Sequence, residues 1–282
     1  MVQKNPSIPF LSHPFLSQSV VVFLKLGGSL ITDKTHPYTP RPATIARLAG
    51  EVRQALNAAG WLRLLIGHGS GSFGHWAAHP HGTRQGVRTP DQWRGYAEVA
   101  AAAARLNRIV TDAFLEAGVP VFSVQPSASA RCHDGTLQAL DTFPIHTALA
   151  QGLVPLVYGD VALDDVRGGT IISTEDIFLY LADELQPTHV LLLGAVPGVL
   201  GPGGAIIPHI TPADLPTLGS TLAGSAGVDV TGGMADKVAC MLALVQRHPA
   251  TSAHILTGTE PGLLARALLD PSLPSGTRIT TL

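Results

Sequence analysis

The sequence predicts an α/β fold, a three-layer αβα sandwich with a mostly parallel central sheet. Short runs rich in leucine and β-branched residues alternate along the chain with longer alanine-rich segments, which is the pattern of a parallel sheet covered by helices on both faces. The 282 residues, of which 45% are hydrophobic, are enough to bury a large core. We therefore expect a single domain over residues 19–282.

The strands of this sheet are predicted from mostly apolar runs that are bounded by glycine, proline or polar residues. In chain order they read VVVFLKL, WLRLLIG, VPVFSV, VPLVYGD, HVLLLG, AHILTG and TRITT. Helices are predicted over 39–60 and 91–118, where two long segments each end on a glycine. Residues 160–173 read as a hairpin beside the main sheet, and the glycine- and proline-rich segment 201–215 as a flexible flap.

Composition excludes several classes of function. A formal charge of -2 and a pI near 6.6 create no field that favours nucleic acid or an anionic membrane surface. No apolar run approaches the roughly 18 residues of a spanning helix, and prolines interrupt residues 1–18, which we interpret as a loose N-terminal extension. Cys132 and Cys240 lie far apart and in no CxxC spacing, so we expect reduced structural cysteines in a cytoplasmic protein.

Adjacent glycines, Gly27 and Gly28, follow the first predicted strand. Consecutive amides in such a turn form a concavity that binds anions, so a phosphate fits there; the alternative is a plain strand-to-helix turn. Lys25 favours the phosphate, because an ammonium inside a buried strand is costly unless an anion meets it, although a lysine at a strand end can also reach water. Lys34 alone is equally consistent with a solvated loop charge.

A second glycine cluster, GHGSGSFGH over 67–75, follows the second strand. It does not match the Walker loop, and a dinucleotide-binding fingerprint would follow the first strand instead. His75 at its end can donate a hydrogen bond to a phosphate oxygen. The nearby His68, His79 and His81 suggest zinc as an alternative, but HWAAH lacks the glutamate of HExxH and no third ligand is evident, so we predict no protein-held metal.

Two further segments extend this pattern. Gly232 and Gly233 open a helix with Lys237 one turn inside it, which is an anion site or, alternatively, a glycine-capped helix with a surface lysine. Asp160, in the segment YGDV, follows a strand and a glycine. It could orient the lysines or serve a metal-bound nucleotide, or it could simply form a turn.

These loops together describe a site that holds two phosphate-bearing groups end to end. Their motifs, KLGGSLITDK, HGSGSFGH, YGDV and TGGMADK in this order, resemble those of the amino acid kinase superfamily. The histidine of SFGH resembles that of its isopentenyl phosphate kinase branch and of the related fosfomycin kinases. The resemblance implies the amino acid kinase fold, with an acceptor-binding half over about 19–160, a nucleotide-binding half over about 161–282, and a homodimer.

Position by position, the resemblance implies a role for each motif residue. The nucleotide phosphates are expected against Lys25, Gly27, Gly28, Ser29, Gly71, Gly232, Gly233 and Lys237. The acceptor phosphate is expected against Ser70, Gly74, His75 and Gly159. Lys34 is expected to stabilise the transferring group and Asp160 to organise the lysines, so the implied catalytic residues are Lys25, Lys34, His75 and Asp160.

The sequence departs from the family pattern in two places. Ser70 stands where the family usually has glycine, so it adds a hydroxyl donor or narrows the loop. The stretch LLLGAVPGVL, over 191–200, replaces a pattern that usually contains aspartate, so the adenine contacts around 194–197 are not predicted.

The implied reaction is the ATP- and Mg²⁺-dependent phosphorylation of isopentenyl phosphate to isopentenyl diphosphate in isoprenoid biosynthesis. A phosphate monoester is largely dianionic near neutral pH, its second pKa being about 6, so this reaction needs no general base. The alternatives are a fosfomycin-type phosphonate kinase and a non-catalytic nucleotide-binding member of the fold. The apolar tail of the acceptor is expected in a cleft under the helix that follows Asp91, next to His75.

Overall fold

The computed structural model of this chain describes residues 20–215 and 233–282. The predicted N-terminal extension and Gly232 lie outside the described residues. In chain order the strands are β1 Val20–Leu26, β2 Leu62–His68, β3 Val121–Ser123, β4 Arg131–His133, β5 Thr136–Ala139, β6 Val154–Tyr158, β7 Asp160–Asp164, β8 Gly168–Ile172, β9 His189–Gly194, β10 His209–Ile210, β11 Ser252–Thr257 and β12 Thr277–Ile279. The helices are α1 Gly28–Ile31, α2 Pro42–Ala58, α3 Gly71–Ala78, α4 Pro90–Glu116, α5 Phe143–Ala150, α6 Thr174–Leu185, α7 Gly233–Arg247 and α8 Leu263–Leu269.

The main sheet has eight strands in the order β10-β12-β11-β9-β1-β2-β6-β3, which confirms the predicted α/β class. Its neighbouring strands are parallel except β11 and β12, which are antiparallel. Strand β1 lies in the middle, between β2 and β9. Because parallel strands end at the same edge, the loops after β1, β2, β6 and β9 meet there.

Two hydrophobic clusters on opposite faces of this sheet give the three layers. Successive side chains of a strand point to opposite faces, and Phe23 belongs to one cluster whereas Leu24 belongs to the other. Helices α2 and α4 supply residues to the cluster of Leu24, for example Leu48 and Leu106. Helices α6 and α7 supply the opposite cluster, for example Phe178. The helices therefore cover both faces, as predicted.

The predicted hairpin over 160–173 is formed by β7 and β8, which pair antiparallel. They belong to a second, four-stranded sheet in the order β5-β4-β7-β8. The segment 201–215, expected to be a flap, differs from its prediction because it contributes β10, which pairs with β12 at the edge of the main sheet. A strand of two residues is too short for the alternation of apolar and polar residues to reveal it.

Candidate active site

A cleft of about 450 Å³ lies at the carboxyl edge of the central strands. It brings together every predicted site residue that the structure describes, namely Lys25, Gly27, Gly28, Ser29, Lys34, Ser70, Gly71, Gly74, His75, Gly159, Asp160, Gly233 and Lys237. A second cavity of about 630 Å³, around His209, His254 and Arg278, lies at the far edge of the sheet and includes none of these described residues. The site is therefore the first cleft.

The loops after β1 and β2 touch each other backbone to backbone. A Cβ added to Gly28 would lie 2.5 Å from the amide nitrogen of Gly71, and a Cβ on Gly71 would lie 2.2 Å from Oγ1 of Thr32. Gly71 also has a φ of +51°, a conformation that L side chains rarely adopt. Glycine is thus required on both sides of this contact, and the contact joins the predicted nucleotide and acceptor loops.

Lys25 is buried in β1 and its Nζ donates a hydrogen bond to Oε1 of Glu175. Glu175 lies in the first turn of α6, between Ser173 and Asp176, which form the capping box. Burial works to raise the pKa of the Glu175 carboxyl, but the Lys25 ammonium, with a smaller effect of Lys237, holds this pKa below its usual range. The anion that the sequence predicted beside Lys25 is therefore supplied, in this structure, by a carboxylate of the chain itself.

Sequence reasoning missed Glu175. Its neighbours read as an ordinary helix start, with serine as N-cap and acidic residues in the first turn. A glutamate there is expected to face solvent, whereas Glu175 is only 7% exposed and lines the cleft. The missed signal was that a buried lysine in the central strand needs a carboxylate from some other part of the chain.

Asp160 is 1% exposed and begins β7 beside the cleft. Its carboxylate accepts hydrogen bonds from the backbone amides of Val161, at 2.8 Å, and Ser127, at 3.1 Å. Burial raises its pKa, and these hydrogen bonds oppose that rise. The carboxylate that pairs with Lys25 is therefore Glu175, while the role of Asp160 in organising the lysines stays a prediction.

Lys34 lies in a loop, residues 32–40, that two aromatic contacts hold against neighbouring helices. The Tyr38 ring meets the Phe73 ring of α3 edge to face at 5.7 Å, and the Arg105 guanidinium of α4 lies 5.0 Å from the Tyr38 ring centre. Tyr38 has a φ of +51°, which is strained for a bulky residue. The loop of Lys34 is therefore clamped to the helix that carries His75.

The end of the cleft next to His75 is apolar. His75 lies on α3, which packs against α4, and the cleft there is lined by Ala78, Val99, Ala103 and Ile171. Val99 and Ala103 belong to α4, the helix under which the sequence predicted a pocket for a hydrocarbon tail. A ligand in this cleft thus has a polar end at the glycine loops and an apolar end beyond His75.

Residues 20–256 match the model of the amino acid kinase family. The chain belongs to this family. The curated relatives of this amino acid kinase include the isopentenyl phosphate kinase of Methanothermobacter thermautotrophicus, which is 34% identical over 273 residues, covering 92% of this chain and 99% of the relative. The isopentenyl phosphate kinase of Haloferax volcanii is 39% identical over 252 residues, covering 87% of this chain and 98% of the relative.

A solved structure of an isopentenyl phosphate kinase superposes on this amino acid kinase with a TM-score of 0.77. It is 32% identical and covers 92% of this chain and 100% of its own. The two relatives and the solved structure are thus all isopentenyl phosphate kinases, and each aligns over nearly its full length with most of this chain.

The described part of this amino acid kinase offers few ligands for a metal ion of its own. Among residues 20–215 and 233–282, no group of three or more histidine, cysteine, aspartate or glutamate residues could hold one. Of the carboxylates in the cleft, Glu175 is engaged by Lys25 and Asp160 by backbone amides. This fits Mg²⁺, which usually arrives on nucleotide phosphates with one or two carboxylates rather than in an all-protein cage.

Among the residues that the structure describes, no helix of this amino acid kinase has both the length and the apolar character that crossing a bilayer demands.

Proposed function

We propose that this amino acid kinase transfers the γ-phosphoryl group of ATP to isopentenyl phosphate and forms isopentenyl diphosphate. The observation that carries the proposal is that one cleft is lined both by the glycine loops with His75 and by apolar residues of the helices packed there, such as Ala78 and Val99. An acceptor with a phosphate head and a short branched tail matches that arrangement of polar and apolar lining. The names of the relatives support the same substrate.

The nucleotide occupies the half of the cleft that contains Lys25, Gly233 and Lys237. Gly233 opens α7, whose first amides and positive dipole end favour phosphate oxygens, and Lys237 lies one turn further on. Leu192 to Val196 line the same half of the cleft, where the family's usual aspartate-containing pattern is replaced. The adenine contacts there are accordingly apolar and backbone contacts.

The acceptor phosphate lies against Ser70, Gly74, His75 and Gly159. Since this phosphate is already a strong nucleophile near neutral pH, with a second pKa of about 6, the chain supplies no proton acceptor. Its contribution is to align the two phosphates in line and to neutralise the charge that spreads over the transferring group. Lys34, on the clamped loop, neutralises that group.

Mg²⁺ accompanies the nucleotide and supplies further neutralisation of its phosphate charge when bound. Its protein contact is best provided by Asp160, because this carboxylate lines the cleft and has no lysine partner among the described residues. The homodimer implied by the resemblance remains a prediction.

An ADP-release assay with a panel of acceptors tests the proposal. Isopentenyl phosphate, methyl phosphate and fosfomycin share an anionic head but differ in the tail or in the phosphorus linkage. Burying about four more carbons of the isopentenyl tail contributes roughly 3 kcal/mol, so kcat/KM for isopentenyl phosphate should exceed that for methyl phosphate by about 200-fold.

The panel also separates the two alternatives. Faster turnover of fosfomycin than of isopentenyl phosphate would assign the chain to the phosphonate kinases. ATP binding without ADP release for any acceptor would assign it to the non-catalytic members of the fold. Equal kcat/KM for isopentenyl and methyl phosphate would remove the tail pocket from the proposal.

A further inference from the structure

His68, the last residue of β2, is fully buried beside the acceptor loop and has no part in the mechanism above. Its ring lies between two hydrogen-bond partners: Nδ1 is 3.1 Å from the carbonyl oxygen of Gly69, and Nε2 is 3.2 Å from Nδ2 of Asn107. Oδ1 of Asn107 in turn accepts a hydrogen bond of 2.6 Å from the hydroxyl of Ser123. We call Ser123, Asn107 and His68 the relay.

The carbonyl group of Gly69, which contacts the His68 end of the relay, determines the direction of the hydrogen bonds that His68 makes. The Gly69 carbonyl can only accept, so Nδ1 of His68 carries the proton and Nε2 of the neutral ring accepts from the Asn107 amide. Burial, with the nearby Lys25 charge adding to it and the Gly69 hydrogen bond opposing it, lowers the pKa of His68 to about 4. The ring is therefore neutral near pH 7, in one tautomer.

This tautomer fixes the orientation of the peptide between Gly69 and Ser70. A trans peptide is planar, and its C=O and N–H groups point in opposite directions. With the Gly69 carbonyl turned towards His68, the Ser70 N–H is turned away from it. Gly69 and Ser70 both line the cleft, so a flip of this peptide would present a carbonyl oxygen instead of an N–H group to a bound anion.

Further hydrogen bonds fix the backbone at His68 and at the amide of Gly69. The Gly69 amide donates to the carbonyl of Leu26, at 3.0 Å, and the His68 carbonyl accepts from the Gly159 amide, at 3.0 Å, and from the Thr174 hydroxyl, at 2.7 Å. These bonds hold the residues before the Gly69–Ser70 peptide but do not involve its carbonyl, and glycine at 69 has no Cβ to restrict the rotation of that peptide, so its orientation depends on the His68 hydrogen bond.

We propose that the relay is a positioning device that keeps the Ser70 N–H directed at the acceptor phosphate, with His68 as its central positioning residue. None of the three residues is part of the lining of the cleft. The proposal rests on the proposed function in so far as it names the anion as the acceptor phosphate. Its chemistry, an amide donor held for a phosphate oxygen, would apply to any phosphate bound in this loop.

The direct test is to reverse the hydrogen bond between the side chains of Asn107 and His68. Asn107→Asp replaces the donor to Nε2 by an acceptor, so His68 must carry a proton on Nε2, and the neutral ring then no longer donates to the Gly69 carbonyl. We expect KM for isopentenyl phosphate to rise and kcat/KM to fall by about tenfold to a hundredfold, with KM for ATP changed by less than about twofold. Ser123→Ala, which removes only the far donor, should act in the same direction and less.

Thr111→Val is the matched control. Thr111 is buried on the same helix, one turn from Asn107, and its hydroxyl donates to the Asn107 backbone carbonyl without entering the relay. It should lower thermal stability without a selective loss for the acceptor. Equal effects of Asn107→Asp and Thr111→Val on both substrates would overturn the positioning role and leave a structural one.

A spectroscopic measurement tests the relay without any activity. In ¹⁵N-histidine spectra, with the His68 signal assigned by His68→Gln, the full chain should show a proton on Nδ1 and none on Nε2 from about pH 5.5 to 8. At pH 8, Asn107→Asp should place the single proton of the neutral ring on Nε2 and leave Nδ1 without one. A proton on Nε2 in the unmodified chain would overturn the proposal.

The two proposals can fail separately. If the unmodified chain does not phosphorylate isopentenyl phosphate, the proposed function fails, and the relay is then judged by the ¹⁵N spectra and by calorimetric binding of inorganic phosphate to the unmodified chain and Asn107→Asp. Equal phosphate affinity of these two folded proteins would overturn the relay. If isopentenyl phosphate is turned over equally well by both, only the relay fails.

Discussion

Lys25 and His68 end neighbouring strands of the central sheet, yet they are held in opposite states. They lie at almost the same height, since Lys25 pairs in register with Gly67, and both are buried. Lys25 is charged and paired with a carboxylate, whereas His68 is neutral and bonded only to neutral groups. Burial lowers the pKa of His68, with a smaller contribution from the Lys25 ammonium, and the same ammonium holds the pKa of Glu175 below its usual range.

The two halves of the cleft are therefore built in different ways. In the half that we propose for the nucleotide phosphates, the fixed charge of Lys25 is available to balance them, and Glu175 offsets the cost of burying that charge. In the half that we propose for the acceptor phosphate, the loop is held by neutral hydrogen bonds and by the contact of Gly28 with Gly71. Activity should therefore fall when a charge is removed from the Lys25 half, and when the loop geometry is disturbed in the His68 half.

The largest effect is expected from Lys25→Met, which breaks the charged half. Glu175 then keeps a buried carboxylate that has lost its ion-pair partner, so the free energy of unfolding should fall by about 3 kcal/mol. Because a preorganised charge next to the phosphates is lost, kcat should fall about a thousandfold. Urea unfolding and ADP-release kinetics measure the two effects.

The double variant Lys25→Met with Glu175→Met separates them. Replacing both partners by apolar side chains of similar size should restore most of the stability but none of the activity. An active double variant would show that the Lys25 charge does not serve the phosphates. If Lys25→Met alone were as stable as the unmodified chain, the buried Glu175 carboxylate would not require the Lys25 charge in the folded state.

The comparison also shows how far the sequence alone could go. Strand runs such as VVVFLKL and the two long helices were predicted at nearly their observed positions, because apolar periodicity and the capping residues are local signals. The glycine loops were predicted as parts of one site because each carries a lysine or histidine and either follows a strand or precedes a helix. Each of these predictions depends on residues that lie within a few positions of one another in the sequence.

What the sequence could not show are the partners that come from far along the chain. Glu175 is 150 residues from Lys25, and Asn107 is 39 residues from His68. Neither reads as unusual within its own helix, because a glutamate in a first turn and an asparagine in mid-helix gain their meaning only from what they face. A buried lysine and a buried histidine predict that partners exist, but not where they lie.

His75→Ala is the next largest test, and it acts on the acceptor half only. If His75 donates to the acceptor phosphate, its loss should remove roughly 2 to 4 kcal/mol of transition-state stabilisation, with little change in KM for ATP. His75→Gln keeps a donor at similar reach and should recover part of this. Steady-state kinetics with isopentenyl phosphate and a melting curve for each variant measure it.

His79→Ala is the matched control, since this exposed ring lies one turn further on and 6.1 Å from the His75 ring. It should leave kcat/KM nearly unchanged. Near-normal kcat/KM in a well-folded His75→Ala variant would remove the acceptor-phosphate role, and activity that falls only in proportion to folded protein would show a structural histidine instead.

The smallest effect is a dependence of stability on pH that isolates the neutral half. The pKa of His68 is about 4 in the folded chain and about 6.5 when unfolded. Between these values the unfolded chain binds a proton that the folded chain does not, so stability is complete above pH 6.5 and falls as the pH falls towards 4. At pH 5 the loss from His68 is about 2 kcal/mol.

The same pH range leaves the charged half of the cleft intact. The pKa of Glu175 is lowered in the folded chain, so its contribution to stability is complete above the unfolded pKa of 4.5 and is lost only at lower pH.

Urea unfolding of the unmodified chain and of His68→Gln at pH 7 and pH 5 measures this contribution. Burial also lowers the pKa of His189 and His254 and raises that of Asp160, which titrates with the opposite sign, but these groups are common to both proteins and cancel in the difference. The unmodified chain should lose about 2 kcal/mol more than His68→Gln between the two pH values. Equal losses would mean that His68 titrates alike in the folded and unfolded chain. The contrast with Lys25 would then be wrong, because a ring that takes up a proton as readily as in water is not confined to one neutral tautomer.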